Sequence, residues 1–214
     1  MGWLPRLTRH EPDAASIAWE AFHLTASKPW VIVGFVPILL AMALAHYAGE
    51  WVLIHGEPEG IEPLPNVLAG TMWLVLAPGH VRLCLDAVRS DPVRLPPVVL
   101  AVVRSLRMAL LALVAALILA AGAPLFIQIS VLWALFAVPA AVADANGFAL
   151  PNMVGAVRRT TEQYLGTAFA VSAGGYILVW SCLEWFVPGL LLVGTWWHMA
   201  CAVFHVRVAP RCRR

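Results

Sequence analysis

The chain has 214 residues, of which 61% are hydrophobic and 12% are charged, and its formal net charge is +2. A soluble domain carries about 25% charged residues, so this chain lacks the polar side chains that a water-facing surface requires. The composition therefore excludes a soluble globular protein and predicts an integral membrane protein.

The N-terminal region predicts a short amphipathic helix ahead of the first membrane span. Asp13 suits an N-cap, and Ile17, Ala21 and Leu24 follow it at helical spacing. The stretch is short and only moderately apolar, so we expect it to lie in the membrane interface. Ser27 then predicts the start of the next helix, as an N-cap followed by proline in the first turn.

Six later stretches are apolar enough to predict membrane spans, each of about 20 residues. Pro37 predicts a kink in the first span, and Pro78–Gly79 predicts a bend or break in the second. Pro151 fits the first turn of a further amphipathic helix. The spans are predicted at about residues 30–48, 66–85, 99–121, 125–143, 165–185 and 190–208. The expected fold is an all-α six-transmembrane-helix bundle with short amphipathic interfacial helices, forming a single polytopic membrane domain over residues 1–214.

The distribution of positive charge predicts the orientation of this bundle. With six spans, all 14 Lys and Arg residues fall on one side of the membrane. The opposite connections, residues 49–65, 122–124 and 186–189, carry no Lys or Arg. Because Lys and Arg are enriched in cytoplasmic loops, we expect both termini in the cytoplasm.

Small residues recur at intervals of four in two of the predicted spans. Without a hydrophobic driving force in lipid, helices approach one another through such residues, so these positions predict helix-packing stripes. The stripes are Gly166, Ala170 and Gly174 in the fifth span, and Ala112, Ala116 and Ala120 in the third.

Histidines are the main polar candidates for function, because ionisable groups inside spans are the default functional hypothesis. His198 lies near the middle of the sixth span, and His205 follows on the same face. His80 comes just after the proline–glycine pair of the second span, at a depth similar to that of His205. Two histidines at equal depth on facing helices suit a haem, and a metal site is an alternative. The alternative is that these are ordinary core histidines held by hydrogen bonds. His80, His198 and His205 are therefore candidates for cofactor binding, and no cofactor or metal is assigned.

The sequence contains no Ser–His–Asp arrangement, HExxH helix, P-loop or GxGxxG motif, so we expect no enzyme and assign no catalytic residue. Asp144, at the end of the fourth predicted span, is expected to pair with Arg158 or Arg159. The leading functional hypothesis is a non-catalytic accessory, scaffold or assembly subunit of a membrane complex or homo-oligomer. A small-solute or lipid transporter and a haem- or pigment-binding subunit are the alternatives. The expected partners are membrane lipids and other membrane subunits, and no nucleic acid.

Three stretches carry a resemblance to a known group of proteins. They are WEAFHLTASKPW, LAPGHVRLCLDAVRSD and FAVPAAVADANGFALPNMVGAVRRTTEQYLG. With these, the chain resembles, from about residue 14 to 208, the six-helix membrane-anchor domain of some bacterial glycerophosphodiester phosphodiesterases and its uncharacterised stand-alone relatives. The resemblance implies a fold and a location in a bacterial inner membrane. It carries over no catalytic residue, because the phosphodiesterase catalytic domain has no counterpart here.

Overall fold

The computed structural model describes residues 13–56, 64–107, 109–120, 136–145, 150–185 and 189–208. These residues are almost entirely helical and include no strand, which confirms the all-α class. The helices in chain order are α1 (Ala14–Ser27), α2 (Pro29–His55), α3 (Leu64–Arg89), α4 (Leu95–Leu106), α5 (Ala109–Ala120), α6 (residues 136–143), α7 (Leu150–Gln163), α8 (Leu165–Trp185) and α9 (Gly189–Val208).

Three helices, α2, α3 and α9, are long and apolar enough to cross a membrane, and α4 with α5 gives a fourth, strongly bent candidate. The apolar part of α8, Leu165–Val179, is shorter than the stretch of about 20 residues that a span requires. The predicted fourth span, 125–143, lies mostly outside the described residues, and only its last part is described, as α6. The described helices therefore give a membrane protein with three or four candidate spans, and the count of six is not confirmed.

The predicted N-terminal helix forms as α1, and its N-cap is the predicted one. The backbone N–H of Ser16 donates to the Asp13 carboxylate at 2.7 Å. Ile17 is fully buried, and the indole N–H of Trp196 in α9 donates to the Ala18 carbonyl at 3.0 Å. This helix is therefore packed against α9.

The predicted start of α2 at Ser27 is wrong. Ser27 is the last residue of α1, and its hydroxyl donates back to the Leu24 carbonyl at 3.2 Å. Lys28 is the N-cap of α2 and Pro29 is its first residue. A serine hydroxyl can bond backward within its own helix as readily as forward to the next one, so residue type alone did not decide between them.

Of the bend or break predicted at Pro78–Gly79, the break does not occur, because α3 continues past it as one helix. Proline has no N–H, so the Leu74 carbonyl one turn earlier loses its usual donor. The hydroxyl of Ser105 in α4 lies 3.5 Å from that carbonyl. Side chains on neighbouring helices commonly make prolines tolerable inside membrane helices in this way.

Burial is greatest along α3 and α9. In the most apolar stretch of α9, 67% of the residues are buried, against 50% in α3 and 22% in α2. Helix α9 therefore lies at the centre of the described bundle, and the face of α2 that points away from it is exposed. Polar groups on α3 and α9 consequently meet in the most enclosed part of the molecule.

The small-residue stripe of the third predicted span contacts the rest of the chain in part. Ala116 is 4% exposed, and a Cβ placed on Gly70 of α3 would lie 3.4 Å from the Ala116 Cβ. Ala112 lines a cavity between helices. The side chain of Ala120 lies outside the described part of the structure.

The small-residue stripe of α8 is open. Gly166 and Ala170 are exposed, and no described atom outside the helix backbone lies within 4 Å of a Cβ placed on Gly166 or Gly174. Gly175, which the spacing did not single out, is instead the glycine that packs: the Trp197 ring of α9 occupies the place where its Cβ would be. Helix α8 therefore meets α9 one residue away from the predicted stripe.

This difference between adjacent glycines gives a direct test. Gly175→Ala is expected to destabilise the protein by about 1–3 kcal/mol, because the Trp197 ring must shift. Gly174→Ala brings the same gain in helix propensity with no described neighbour to displace, so it should be neutral or stabilising by up to about 1 kcal/mol. Thermal unfolding in mild detergent measures both, and equal effects would contradict the packing.

Candidate functional site

Two of the three predicted histidines meet in the core. His80 of α3 and His198 of α9 are 3% and 1% exposed, and their Nδ1 atoms lie 2.9 Å apart. Phe35 of α2 covers both, since its ring centroid lies 5.2 Å from each imidazole centroid. The pair is therefore enclosed by three helices.

The hydrogen-bond partner of Nε2 in each ring shows whether that nitrogen carries a hydrogen. Nε2 of His80 lies 2.8 Å from the Val31 carbonyl, which can only accept, so this nitrogen carries a hydrogen. Nε2 of His198 lies 2.8 Å from the indole nitrogen of Trp73, which can only donate, so this nitrogen carries none. The central contact is then complete with both rings neutral: the Nδ1–H of His198 donates to Nδ1 of His80.

The three hydrogen bonds run in one direction, from Trp73 through His198 and His80 to Val31. They use every ring nitrogen of the two histidines and connect α3, α9 and α2. Buried polar groups are tolerated in apolar surroundings when they are paired, and these are fully paired. As arranged, the pair has no nitrogen free for an iron or another ligand. Among the described residues, no group of three or more His, Cys, Asp or Glu side chains is placed to hold a metal ion.

His205 is not part of this pair. It follows His198 by two turns of α9, whereas His80 lies opposite His198, so the predicted match in depth between His80 and His205 is wrong. Nε2 of His205 lies 3.2 Å from Oδ2 of Asp144, which follows α6. Asp144 also accepts two hydrogen bonds from the guanidinium of Arg89, at 2.7 and 2.8 Å. Arg82 lies 3.6 Å from the same carboxylate. Asp144 thus joins the ends of α3, α6 and α9.

The predicted partner of Asp144 is corrected by these contacts. Arg158 pairs with Glu162, one turn later on the exposed side of α7, at 2.8 Å. Arg159 lines a narrow cleft that His205 also lines. The arginine partners of Asp144 come from α3, more than fifty positions earlier in the chain, rather than from the next helix.

Electrostatics favours the ionised form of Asp144. Burial opposes ionisation, but the hydrogen bonds from Arg89 and His205 outweigh it and hold the pKa of this carboxyl well below its ordinary value of 3.8. A bidentate Arg–carboxylate pair is among the strong hydrogen-bonded contacts, and it also fixes orientation.

The spacing of some of these partners along the sequence places them on one face of α3. Trp73 precedes His80 by two helical turns, which puts both on one face of α3. Arg82, Asp86 and Arg89 recur at intervals of four and three, the spacing of neighbours on a helix surface. Asp86 is 2% exposed and lies 2.9 Å from Arg82. This spacing identifies a polar face on α3, although it does not identify the partner helix.

Comparisons with protein families, curated proteins and solved structures found no match to this chain.

A double-mutant cycle tests the histidine pair. His80→Phe and His198→Phe should each destabilise the protein, because each leaves buried donors or acceptors unpaired. The double substitution should cost less than the sum of the single ones, with a coupling energy of about 0.5–3 kcal/mol. Thermal unfolding in detergent measures all three variants, and additive losses would show that the two imidazoles do not interact.

The pH dependence tests the Asp144 contacts. A pKa lowered by folding means that ionised Asp144 stabilises the folded state above pH 3.8, and that this stabilisation is lost as the pH falls below that value. Asp144→Asn should therefore lower the unfolding temperature at pH 7 and flatten its decline as the pH falls from about 5 to about 3.

Glu162→Gln is the control for that experiment, because it removes the exposed pair with Arg158. Exposed ion pairs contribute little to stability, so its unfolding temperature and pH profile should follow those of the wild type. If Asp144→Asn also followed the wild type, the stabilising role assigned to Asp144 would be wrong.

Proposed function

We propose that this protein is a non-catalytic assembly or accessory subunit of a membrane complex or homo-oligomer. The observation that carries the proposal is the open small-residue face of α8. Gly166 and Ala170 are exposed, although small residues at this spacing are the positions through which membrane helices approach closely. Covering this face needs a helix that the described part of the chain does not supply.

The buried polar side chains support this proposal, because their hydrogen-bonding atoms contact other residues of the same chain. The ring nitrogens of His80 and His198 are taken up by hydrogen bonds within the chain. The Asp144 carboxylate binds arginine and histidine of the same chain.

We also propose six spans with both termini in the cytoplasm of a bacterial inner membrane. The one-sided distribution of Lys and Arg is the main support. Charged contacts add to it: Lys28 at the start of α2 donates to the Ala87 carbonyl near the end of α3, and Arg207 at the end of α9 donates to Glu20 of α1. Such contacts are expected where these chain ends share one membrane face. The resemblance to the six-helix anchor domain points the same way.

Assembly is tested by placing a larger side chain on the open face of α8. We expect the protein in mild detergent to have a protein mass above the 23.2 kDa of one chain, or to co-purify with a defined membrane subunit. Ala170→Leu should shift it toward a free monomer, because a larger side chain prevents close helix approach. Ala43→Leu, at an exposed position of α2, is the matched control and should leave the assembly unchanged.

Light scattering coupled to size exclusion measures the protein mass of each variant. A wild-type protein that is monomeric and without partners in every mild detergent would contradict the proposed function, as would equal effects of Ala170→Leu and Ala43→Leu.

The topology is tested with fusions to reporter domains. A fluorescent protein after Arg214 should fluoresce and alkaline phosphatase there should be inactive, because the C terminus is proposed to be cytoplasmic. Phosphatase inserted in the 57–63 connection should be active, because that connection is proposed to face the other side. An active C-terminal phosphatase would contradict an even number of spans with the N terminus inside.

A further inference from the structure

A partly open cavity lies apart from the histidine pair, between α3, α4, α5, α6 and α7. Its volume is about 120 Å³, and Ser105 supplies the one hydroxyl among its lining side chains. The other walls are apolar and include Leu111, Val138 and Met153. An engineered cavity of about 150 Å³ with apolar walls binds benzene, so this space has the size of one aromatic ring.

The residues that line the cavity include one whose backbone carbonyl lacks its usual helical donor. Leu74, Pro78 and Ser105 all line it. Because Pro78 has no N–H, the Leu74 carbonyl loses its usual helical donor, and the Ser105 hydroxyl lies 3.5 Å from the carbonyl oxygen. Good O–H···O hydrogen bonds are about 2.5–3.0 Å long, so this contact is weak. A carbonyl oxygen also has two lone pairs and can accept a second donor.

We propose that this cavity binds a small, mostly apolar molecule, about one ring in size, that carries a single hydrogen-bond donor and donates it to the Leu74 carbonyl. The apolar walls would hold the body of the ligand, and the proline-exposed carbonyl would fix its orientation. Pockets that combine apolar walls with a few placed polar groups are the usual form of small-molecule sites. This proposal does not depend on the assembly role of α8.

An apolar space in a membrane protein can also hold the end of a lipid acyl chain. The Leu74 carbonyl distinguishes the proposed ligand from such a chain. An acyl chain fills volume but donates no hydrogen bond. A site selected by volume alone therefore binds donor and non-donor molecules of one size equally, whereas the proposed site prefers the donor.

Phenol and toluene are the probes, because they match in size and only phenol donates a hydrogen bond. Binding to the full chain in mild detergent is measured by thermal unfolding and by ligand-observed NMR, at known free aqueous concentrations because both probes partition into detergent. We expect a saturable rise in unfolding temperature with phenol and an affinity for phenol about five- to tenfold above that for toluene.

Two variants locate the site. Ala112→Leu fills the cavity and should abolish binding of both probes, whereas Ala43→Leu on the exposed side of α2 should leave it unchanged. Pro78→Ala restores the N–H that pairs with the Leu74 carbonyl, so it should remove the preference for phenol while toluene still binds.

Three results would each overturn the proposal. Equal affinities for phenol and toluene in the wild type would mean that volume alone selects the occupant, as for an acyl chain. Undiminished phenol binding to Ala112→Leu would place the binding elsewhere. A full phenol preference in Pro78→Ala would show that the Leu74 carbonyl is not the acceptor, and this variant stays informative if Ala112→Leu does not fold.

Discussion

One N–H···N hydrogen bond between His80 and His198 joins α3 to α9 at the most enclosed point of the bundle. It holds only while both imidazoles are neutral, because Trp73 on one side and the Val31 carbonyl on the other leave no place for another proton. The same three hydrogen bonds link the core helices to the start of α2. The Phe35 ring packs against both imidazoles of the pair.

Such a contact matters more here than in a soluble protein, because lipid gives helices no hydrophobic reason to associate. Close packing and polar contacts must supply the attraction. Gly194 of α9 allows close packing, because the Phe35 ring occupies the place where its Cβ would be. Gly175 of α8 allows the same close packing of the Trp197 ring. Asp144 provides a second polar contact at the ends of α3, α6 and α9. Within the described part of the chain, these contacts hold the chain's own helices together.

The sequence predicts what depends on local pattern. Composition predicts the membrane class, Asp13 predicts the start of α1, and the scarcity of buried polar groups points to His80 and His198. The pairing of His80 with His198 was not predictable from residue counts. The depth of each histidine was counted from the end of its span, as if the helices were parallel. A bend or break was also predicted at Pro78–Gly79, where α3 continues as one helix. Likewise, repeats of small residues predict a stripe on α8 but not that the adjacent Gly175 is the residue that meets Trp197.

The histidine tautomers are the most direct test of this account. Nitrogen-15 NMR of histidine-labelled protein in detergent or lipid reports which ring nitrogen carries the proton, and single His80 and His198 substitutions assign the signals. The account predicts two neutral rings at pH 7, with the hydrogen on Nε2 of His80 and on Nδ1 of His198. A charged imidazolium at either position, or a hydrogen on Nε2 of His198, would contradict it.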